Sequence, residues 1–368
     1  MRHTPALILG GGPAGAAAAI TLARAAAPHL LVERTTETGD PLCGGFLSWR
    51  TLATLDRLGV AADALNPARV RRVRLFAGAR LAEATLPYPA LAVSRHRLDT
   101  LLLACAQAAG AAIERGVAVR TLGEVALTDD GASIAHDALF LASGKHDVRG
   151  LARPADARGA DPALGLRLRL PASPALDRLV GDAIELHLFD RGYAGLVRQE
   201  DGGANLCLAA RRSRLREAGD PAALLRALAE EAPALGERIA RHAGAIDAVA
   251  NVPYGWRASP GGPGLFRLGD QCGVIPSLAG EGVGIAVASG TAAAHAYLRH
   301  GAVHGPRWQA RFRRDLARPI GVAAAILALA ERSALAPTLV SLVAHSPALI
   351  RLVARATRID PTALHLDR

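Results

Sequence analysis

One stretch restricts this chain more than any other: ALILGGGPAGAAAAITLARAAA, residues 6–27. Residues 6–9 (ALIL) are a short unbroken apolar run of the kind that forms a buried parallel strand. Gly10, Gly12 and Gly15 follow in G-x-G-x-x-G spacing, with Pro13 and Ala14 between the last two, and the Ala-rich residues 16–26 predict a tightly packed helix. The order has a physical logic. The first glycine permits the sharp turn, the second lets backbone approach a pyrophosphate, and the third lets helix and strand pack closely. Phosphates at the start of the helix meet free N–H groups and the positive end of its dipole. A second apolar strand, residues 30–32, runs into Glu33 and Arg34. An acidic residue at that strand end accepts the ribose hydroxyls of an adenosine. This part of the chain reads as a dinucleotide site, of a kind that serves FAD and NAD alike.

Composition excludes several classes. The 368 residues suffice for two domains, and a hydrophobic content of 51% excludes a disordered chain. The formal charge of +10 is almost wholly arginine, since Lys145 is the only lysine. Those arginines are scattered without aromatic interleaving, so no nucleic-acid partner is expected. Cys43, Cys105, Cys207 and Cys272 are widely spaced and form no C-x-x-C, and His96, His136 and His146 lack ligand spacing. No metal is expected, and the cysteines fit a reducing cytoplasm. The apolar stretch near the start is too short for a secretory leader. Residues 333–350 carry no charged side chain, but Pro337, His345 and Pro347 interrupt them, so no transmembrane helix is expected.

The middle of the chain changes character. Residues 70–86 alternate around a glycine and predict a hairpin, and 164–170, 183–190, 192–199 and 204–211 are short alternating strands divided by Gly, Asp and Pro. Asp201, Gly202 and Gly203 supply a turn between the last two. Residues 221–242 predict an amphipathic helix, and everything from 306 onward reads as helical. The fold class is α/β: a Rossmann-like domain assembled from 1–60, 91–160 and 245–300, an inserted antiparallel-sheet domain from 61–90 and 161–244, and a helical region over 301–368. That last region reads either as a cap on the core or as an apolar patch facing a membrane surface.

Three further stretches carry a family resemblance: CGGFLS (43–48), SRHRLDTLL (94–102) and GDQCGVIPSLAGEGVGIAVASG (269–290). With the glycine turn, they resemble the FAD-dependent oxidoreductase superfamily of aromatic hydroxylases and geranylgeranyl reductases. The late stretch is closer to the reductase branch, whose pattern GD-x-x-G-x-x-x-P-x-x-G-E-G is met by Gly269, Asp270, Gly273, Pro276, Gly280, Glu281 and Gly282. The resemblance implies a glutathione-reductase-type flavin domain. Asp270 would then bond the ribityl chain, Pro276 and residues 280–282 would lie beside the isoalloxazine, and Arg95 would reach the phosphates or the ribityl chain. Ser143 and Gly144 take the place of the family's Ala-Thr-Gly signature, and Cys43 and Gly44 lie by implication near the flavin. No second complete glycine fingerprint follows a strand, so NADPH or NADH is expected as a transient reductant.

The implied chemistry is hydride transfer at flavin N5 to or from a carbon–carbon bond of a hydrophobic isoprenoid or polyketide-like small molecule. The alternatives are an NAD(P)H-dependent monooxygenase acting through a C4a-hydroperoxide, and a flavoprotein passing electrons to a protein partner. The family's Y-x-W-x-F-P motif is represented only by Tyr193, with Gly195 where Trp is usual. Tyr193 and Cys43 are the candidate catalytic residues, Cys43 as proton donor, redox thiol or packing residue. The oligomeric state is not legible.

Overall fold

The computed structural model describes residues 2–359. The chain starts with β1 (Arg2–Leu9) and β2 (Leu30–Glu33) and crosses to β3 (Phe46–Leu47), β4 (Val70–Ala77) and β5 (Arg80–Ala92). It returns for β6 (Ala112–Arg115), β7 (Val119–Leu122), β8 (Val125–Thr128) and β9 (Ser133–Leu141). It then leaves again for β10 (Ala163–Leu170), β11 (Ala183–Phe189), β12 (Gly192–Arg198), β13 (Ala204–Arg211) and β14 (Asp247–Val252), and finishes with β15 (Leu265–Arg267). Two sheets result, and the chain passes between them repeatedly.

The first sheet runs β6-β2-β1-β9-β8-β7, with β15 also on β9. Its parallel core follows from continuous apolar strands: Leu7, Ile8 and Leu31 are fully buried. Helix Pro13–Arg24 packs on helix Gly282–His300, and an added Cβ on Gly290 would stand 2.1 Å from the Ala14 carbonyl oxygen. Alanine and glycine let these two helices approach so closely that both N-termini serve one region. Behind them Phe140 stacks on Phe266 at 4.9 Å, with Tyr297 edge-on to both.

The second sheet runs β14-β10-β13-β12-β11-β4-β5-β3. It is not purely antiparallel as expected, because β11 lies parallel to β4, whose partner hairpin strand β5 then reaches β3. β14 pairs with β10, so the return to the first layer falls after residue 252 rather than at 245. One face carries Leu166, Leu168, Leu196, Leu206 and Leu208 against helices Pro221–Glu231 and Pro233–Ile239. The expected single helix over 221–242 is broken there. Pro233 has no N–H to donate and its ring clashes with the preceding turn. The opposite face is also apolar and is covered by helices Ala317–Ala330 and Ala336–His345.

Helix Ala348–Ala356 follows Ala336–His345 at 112°, and among the described residues no single helix is long and apolar enough to cross a membrane. The helical reading of 301–368 holds through 356, and residues 360–368 lie outside those described.

Candidate functional site

The first glycine turn is built by exclusion of side chains. Gly10 has φ +107°, and a Cβ there would lie 2.6 Å from the Ala142 carbonyl oxygen. At Gly15 it would lie 1.9 Å from the Gly10 carbonyl oxygen, so only glycine fits. Gly12 caps the helix with no side chain to offer, and Pro13 takes the first helical position, where its missing N–H costs nothing. The following amides therefore have no side-chain cap and suit an anion.

Glu33 Oε2 accepts the Gly11 N–H at 2.7 Å, and Oε1 accepts from the Thr35 N–H and hydroxyl at 3.0 Å each. The carboxylate is thus folded back onto the turn, where it stiffens the turn as well as facing it. Arg34 donates to His146 Nε2 at 2.8 Å. Burial, with Arg34 and Lys145 nearby, lowers the His146 pKa, which suits it to accept as a neutral imidazole.

Arg95 stands over this turn. Its Nη2 lies 3.2 Å from where a Gly12 Cβ would be, and its fork grips Asp99 at 2.8 and 2.6 Å. Burial alone lowers the Arg95 pKa, but Asp99 outweighs it and the guanidinium stays charged. Helix Arg95–Ala108 is held in place by Ser94, whose Oγ accepts the Arg97 N–H at 3.1 Å, and by Asp40, which accepts the Arg95 N–H at 3.0 Å. The R-x-x-L-D spacing is therefore an i,i+4 clamp.

Ser143 and Gly144 leave β9 beside the turn, with Gly144 at φ +61°. The Ser143 hydroxyl donates to the His146 carbonyl at 2.7 Å, and the Gly144 carbonyl accepts from Gln271 Nε2 at 2.9 Å. Lys145 donates to the Leu42 carbonyl at 2.7 Å. The 42–45 loop is also pinned to the second sheet, since the Cys43 carbonyl accepts from Asn205 Nδ2 at 2.8 Å and from the Cys207 thiol at 3.2 Å. Burial pushes the Cys207 thiol up to about 12. Cys43 Sγ accepts the Gly45 N–H at 3.4 Å, while Gly44 has open space where a side chain would stand.

The second glycine-rich segment faces the first. Gly269 has φ +55°, and its N–H donates to Ser289 Oγ at 2.9 Å. Asp270 follows in a short 3-10 turn, half-buried, and only its carbonyl is bound, by Arg153 at 3.1 Å. Pro276 is buried, and Gly280 adopts a left-handed conformation with Phe46 where a Cβ would be, at 2.8 Å. Gly282 opens helix Gly282–His300 with nothing near it.

Glu281 departs from the expected cofactor role. Its side chain is 2% exposed and points inward, where Oε2 accepts from Arg358 at 2.7 Å and from the Ser48 hydroxyl at 3.0 Å. Burial pushes its pKa up, against the pull of Arg358 and Ser48. Arg358 also donates to the Ala279 carbonyl at 2.7 Å and lies over the rings of Phe46 and Trp49. Glu281 anchors the segment to the end of the described chain; any direct contact it makes with a cofactor is through backbone.

Sequence reasoning missed Tyr254 and Ser277. The hydroxyls of Tyr193 on β12 and of Tyr254 both bond Ser277 Oγ, between Pro276 and Gly280. Burial raises both phenols, Tyr254 to about 12, so both keep their protons. The nearest signal was the position of Ser277 inside the late motif. Tyr254 had none, because nothing in the sequence places it across from Tyr193.

These contacts bring 10–15, Arg95, 143–144, 43–45, Asp270 and 276–282 into one continuous lining between the two sheets. Its bare backbone at Gly12, Gly44, Gly144 and Gly282, its two uncapped helix starts and its Asp270 carboxylate, unpaired among the described residues, fit a dinucleotide cofactor with an extended polyol link.

Comparison with known proteins agrees. Residues 3–149 match the family described as FAD binding domain. The chain is 26% identical over 347 residues to the menaquinone reductase of Mycolicibacterium smegmatis, spanning 86% of this chain and 82% of that protein. In fold it is similar to PqsL of Pseudomonas aeruginosa, solved with 2-aminobenzoylacetate, at TM-score 0.70 and 16% identity over 92% of this chain and 100% of that one. It is also similar to a geranylgeranyl bacteriochlorophyll reductase-like protein of Thermoplasma acidophilum, at TM-score 0.73 and 19% identity over 99% and 95% of the two chains.

Proposed function

We propose that the chain, an FAD-dependent oxidoreductase, reduces a carbon–carbon double bond of a hydrophobic isoprenoid or polyketide-like small molecule or, in reverse, forms one by dehydrogenating the saturated bond. One observation carries this reading: two phenols with raised pKa values meet at Ser277, on the segment read as flavin-facing. FAD, when bound, supplies hydride transfer at its ring. Saturating an alkene also needs a proton, and the Tyr193–Ser277–Tyr254 hydroxyl chain holds one at the Tyr193 oxygen and can replace it from Tyr254. The surroundings favour an apolar substrate. Tyr193, Val197, Leu188 and Leu75 form one surface with Leu327 and Val340, and Gly195 leaves room in it at the position where the Y-x-W-x-F-P pattern calls for an indole. The likeness to a menaquinone reductase supports the same class of substrate.

NADPH or NADH is the proposed reductant, arriving transiently. The four free cysteines support a reducing compartment such as the cytoplasm. Leu335, Leu342 and Leu352 are exposed, and residues 332–359 include arginines but no acidic side chain, which supports contact with an acidic lipid surface. The test is anaerobic: holoprotein reduced by NADPH or NADH is mixed with menaquinone, and the product is weighed. A gain of two hydrogens at an alkene is expected. In a parallel aerobic run, product that forms only with O2, consumed in step and with oxygen inserted, would replace the reductase reading with a monooxygenase. Tyr193→Phe is expected to lower kcat by about a hundredfold or more, with FAD binding unchanged.

A further inference from the structure

A cavity of about 900 Å³ lies outside the flavin lining, between the two linkers that join the sheets. Its size is within the range of small-molecule and cofactor sites. Its wall is not the apolar one expected for this protein's substrate: six arginines line it against three carboxylates. Arg211 is bound to Glu331 at 2.7 Å and Arg191 to Glu217 at 2.6 Å, so those two are compensated. Arg257 and Arg313 are not. Each donates to the other's carbonyl, at 3.1 and 2.8 Å, and Arg313 also donates to Ser259 Oγ at 3.1 Å. Among the described residues neither has a carboxylate partner, nor does the exposed Arg332 at the rim. The mutual bonds tie each guanidinium to the other residue's backbone on one wall of the cavity and leave most of their donors free. A guanidinium fork with donors to spare matches the oxygens of a phosphate or carboxylate. Trp256 and Tyr254 share the wall, and Tyr254 is the residue whose hydroxyl reaches Ser277.

We propose that this cavity binds an anionic small molecule through phosphate or carboxylate oxygens held by Arg257, Arg313 and Arg332, with the remainder of the ligand directed along Trp256 and Tyr254 toward Ser277. Only the direction of the far end rests on reading 276–282 as flavin-facing; the anion site rests on the arginines. The anion belongs either to the pyrophosphate of the nicotinamide reductant or to an acidic group on the substrate.

The probe is inorganic pyrophosphate, titrated into holoprotein whose own dinucleotide site is filled with FAD, at ionic strength held constant with NaCl. Saturable thermal stabilisation is expected. It should weaken by about tenfold or more in Arg257→Gln/Arg313→Gln, as expected when hydrogen bonds to a charged group are lost. Arg332→Glu, at an exposed position that does not disturb those mutual bonds, should weaken it likewise and covers the case of a misfolded double variant. A second arm follows flavin reduction. If pyrophosphate raises the KM for NADPH, the natural anion is the reductant's; if it competes only with substrate, the anion is the substrate's. No saturable effect, or an effect equal in the parent and both variants, would overturn the site. Alkene reduction by the same preparation would still stand, so failure here is distinct from failure of the proposed function.

Discussion

The two glycine-rich turns do similar work with different means. At 10–15 the geometry is closed by near neighbours: Gly15 lies against Gly10, and Gly10 against Ala142, just past the end of the adjacent strand β9. Nothing but backbone and missing side chains is needed. At 269–284 the glycines are held by partners far along the chain. Ser48 is 233 residues from Glu281, Arg358 is 77 away, and Tyr193 is 84 from Ser277. The first turn is a local solution to the problem of bringing backbone against a ligand. The second is a tertiary one, and it ties substrate sheet, cofactor lining and C-terminal helices to a single segment.

The largest effect should come from attacking the local turn. Gly15→Val puts carbon into the Gly10 carbonyl, where even a Cβ would stand at 1.9 Å and where backbone on both sides cannot give. Protein carrying no FAD, or no folded protein, is expected, read as the ratio of flavin to protein absorbance. Gly12→Ala separates folding from ligand approach, since within the protein its Cβ meets only the end of Arg95 at 3.2 Å; folded protein with weakened FAD retention is expected. Undiminished FAD retention there would mean that backbone approach at Gly12 is not what the turn provides.

The tertiary turn should break more gradually. Arg358→Met leaves the Glu281 carboxylate buried without its cation, which costs about 3–5 kcal/mol in comparable pairs. Adding Glu281→Gln should recover much of that, because no buried charge then remains. The sign with pH is a check. Burial already holds the Glu281 pKa above its unfolded value, and losing Arg358 raises it further. The folded state then keeps a proton that the unfolded state has released, so stability falls as pH rises above about 4.5. Denaturant midpoints of Arg358→Met should therefore improve on acidification, relative to the parent.

The contrast also explains what could be read from the sequence. The strands at 164–170, 183–190, 192–199 and 204–211 were legible because alternation and turn residues are local signals, and β10 to β13 lie within a residue or so of them. The glycine turn was legible for the same reason. The parallel pairing of β11 with β4 was not, since alternation does not specify direction. Glu281 was assigned to the cofactor because its motif neighbours are exposed backbone, while its true partner sits in a C-terminal segment with no pattern of its own. Tyr254 and Ser277 were missed because two hydroxyls acquire meaning only when folding sets them together.

A region remote from both turns calibrates these effects. Between β11 and the helices outside it, Glu185 binds Arg238 at 2.9 and 3.0 Å and His187 at 3.2 Å, all buried. Burial raises the Glu185 pKa, but the bonds from His187 and Arg238 outweigh it and bring it to about 2. Burial also lowers His187. A depressed carboxylate stabilises the fold above its unfolded pKa and loses that stability as pH falls toward 2; a depressed histidine adds destabilisation once pH falls below about 6.5. Thermal midpoints should therefore drop from pH 6.5 downward, and steepen below 4.5. Glu185→Gln should remove the steeper limb while leaving FAD retention untouched. Parallel curves for parent and variant would show that this cluster does not govern acid stability.

The smallest structural effect is expected at Gly195, and it bears on function. Its missing Cβ would meet Leu186 at 3.6 Å and the Cys207 carbonyl at 3.9 Å, ordinary contact distances, and its backbone lies in regular β-structure within β12. Gly195→Ala should thus change stability by no more than about 1 kcal/mol, and favourably, since glycine in a strand interior loses more chain entropy on folding than alanine. Neither turn depends on it. Gly195→Trp differs only in what stands on the apolar face beside Tyr193. If the space at Gly195 admits substrate, the indole should raise KM or abolish turnover of a bulky alkene while leaving FAD retention and the rate of reduction by NADPH unchanged. Unchanged steady-state kinetics in Gly195→Trp would place the substrate elsewhere, and the arginine-lined cavity at the linkers would then be the next place to look.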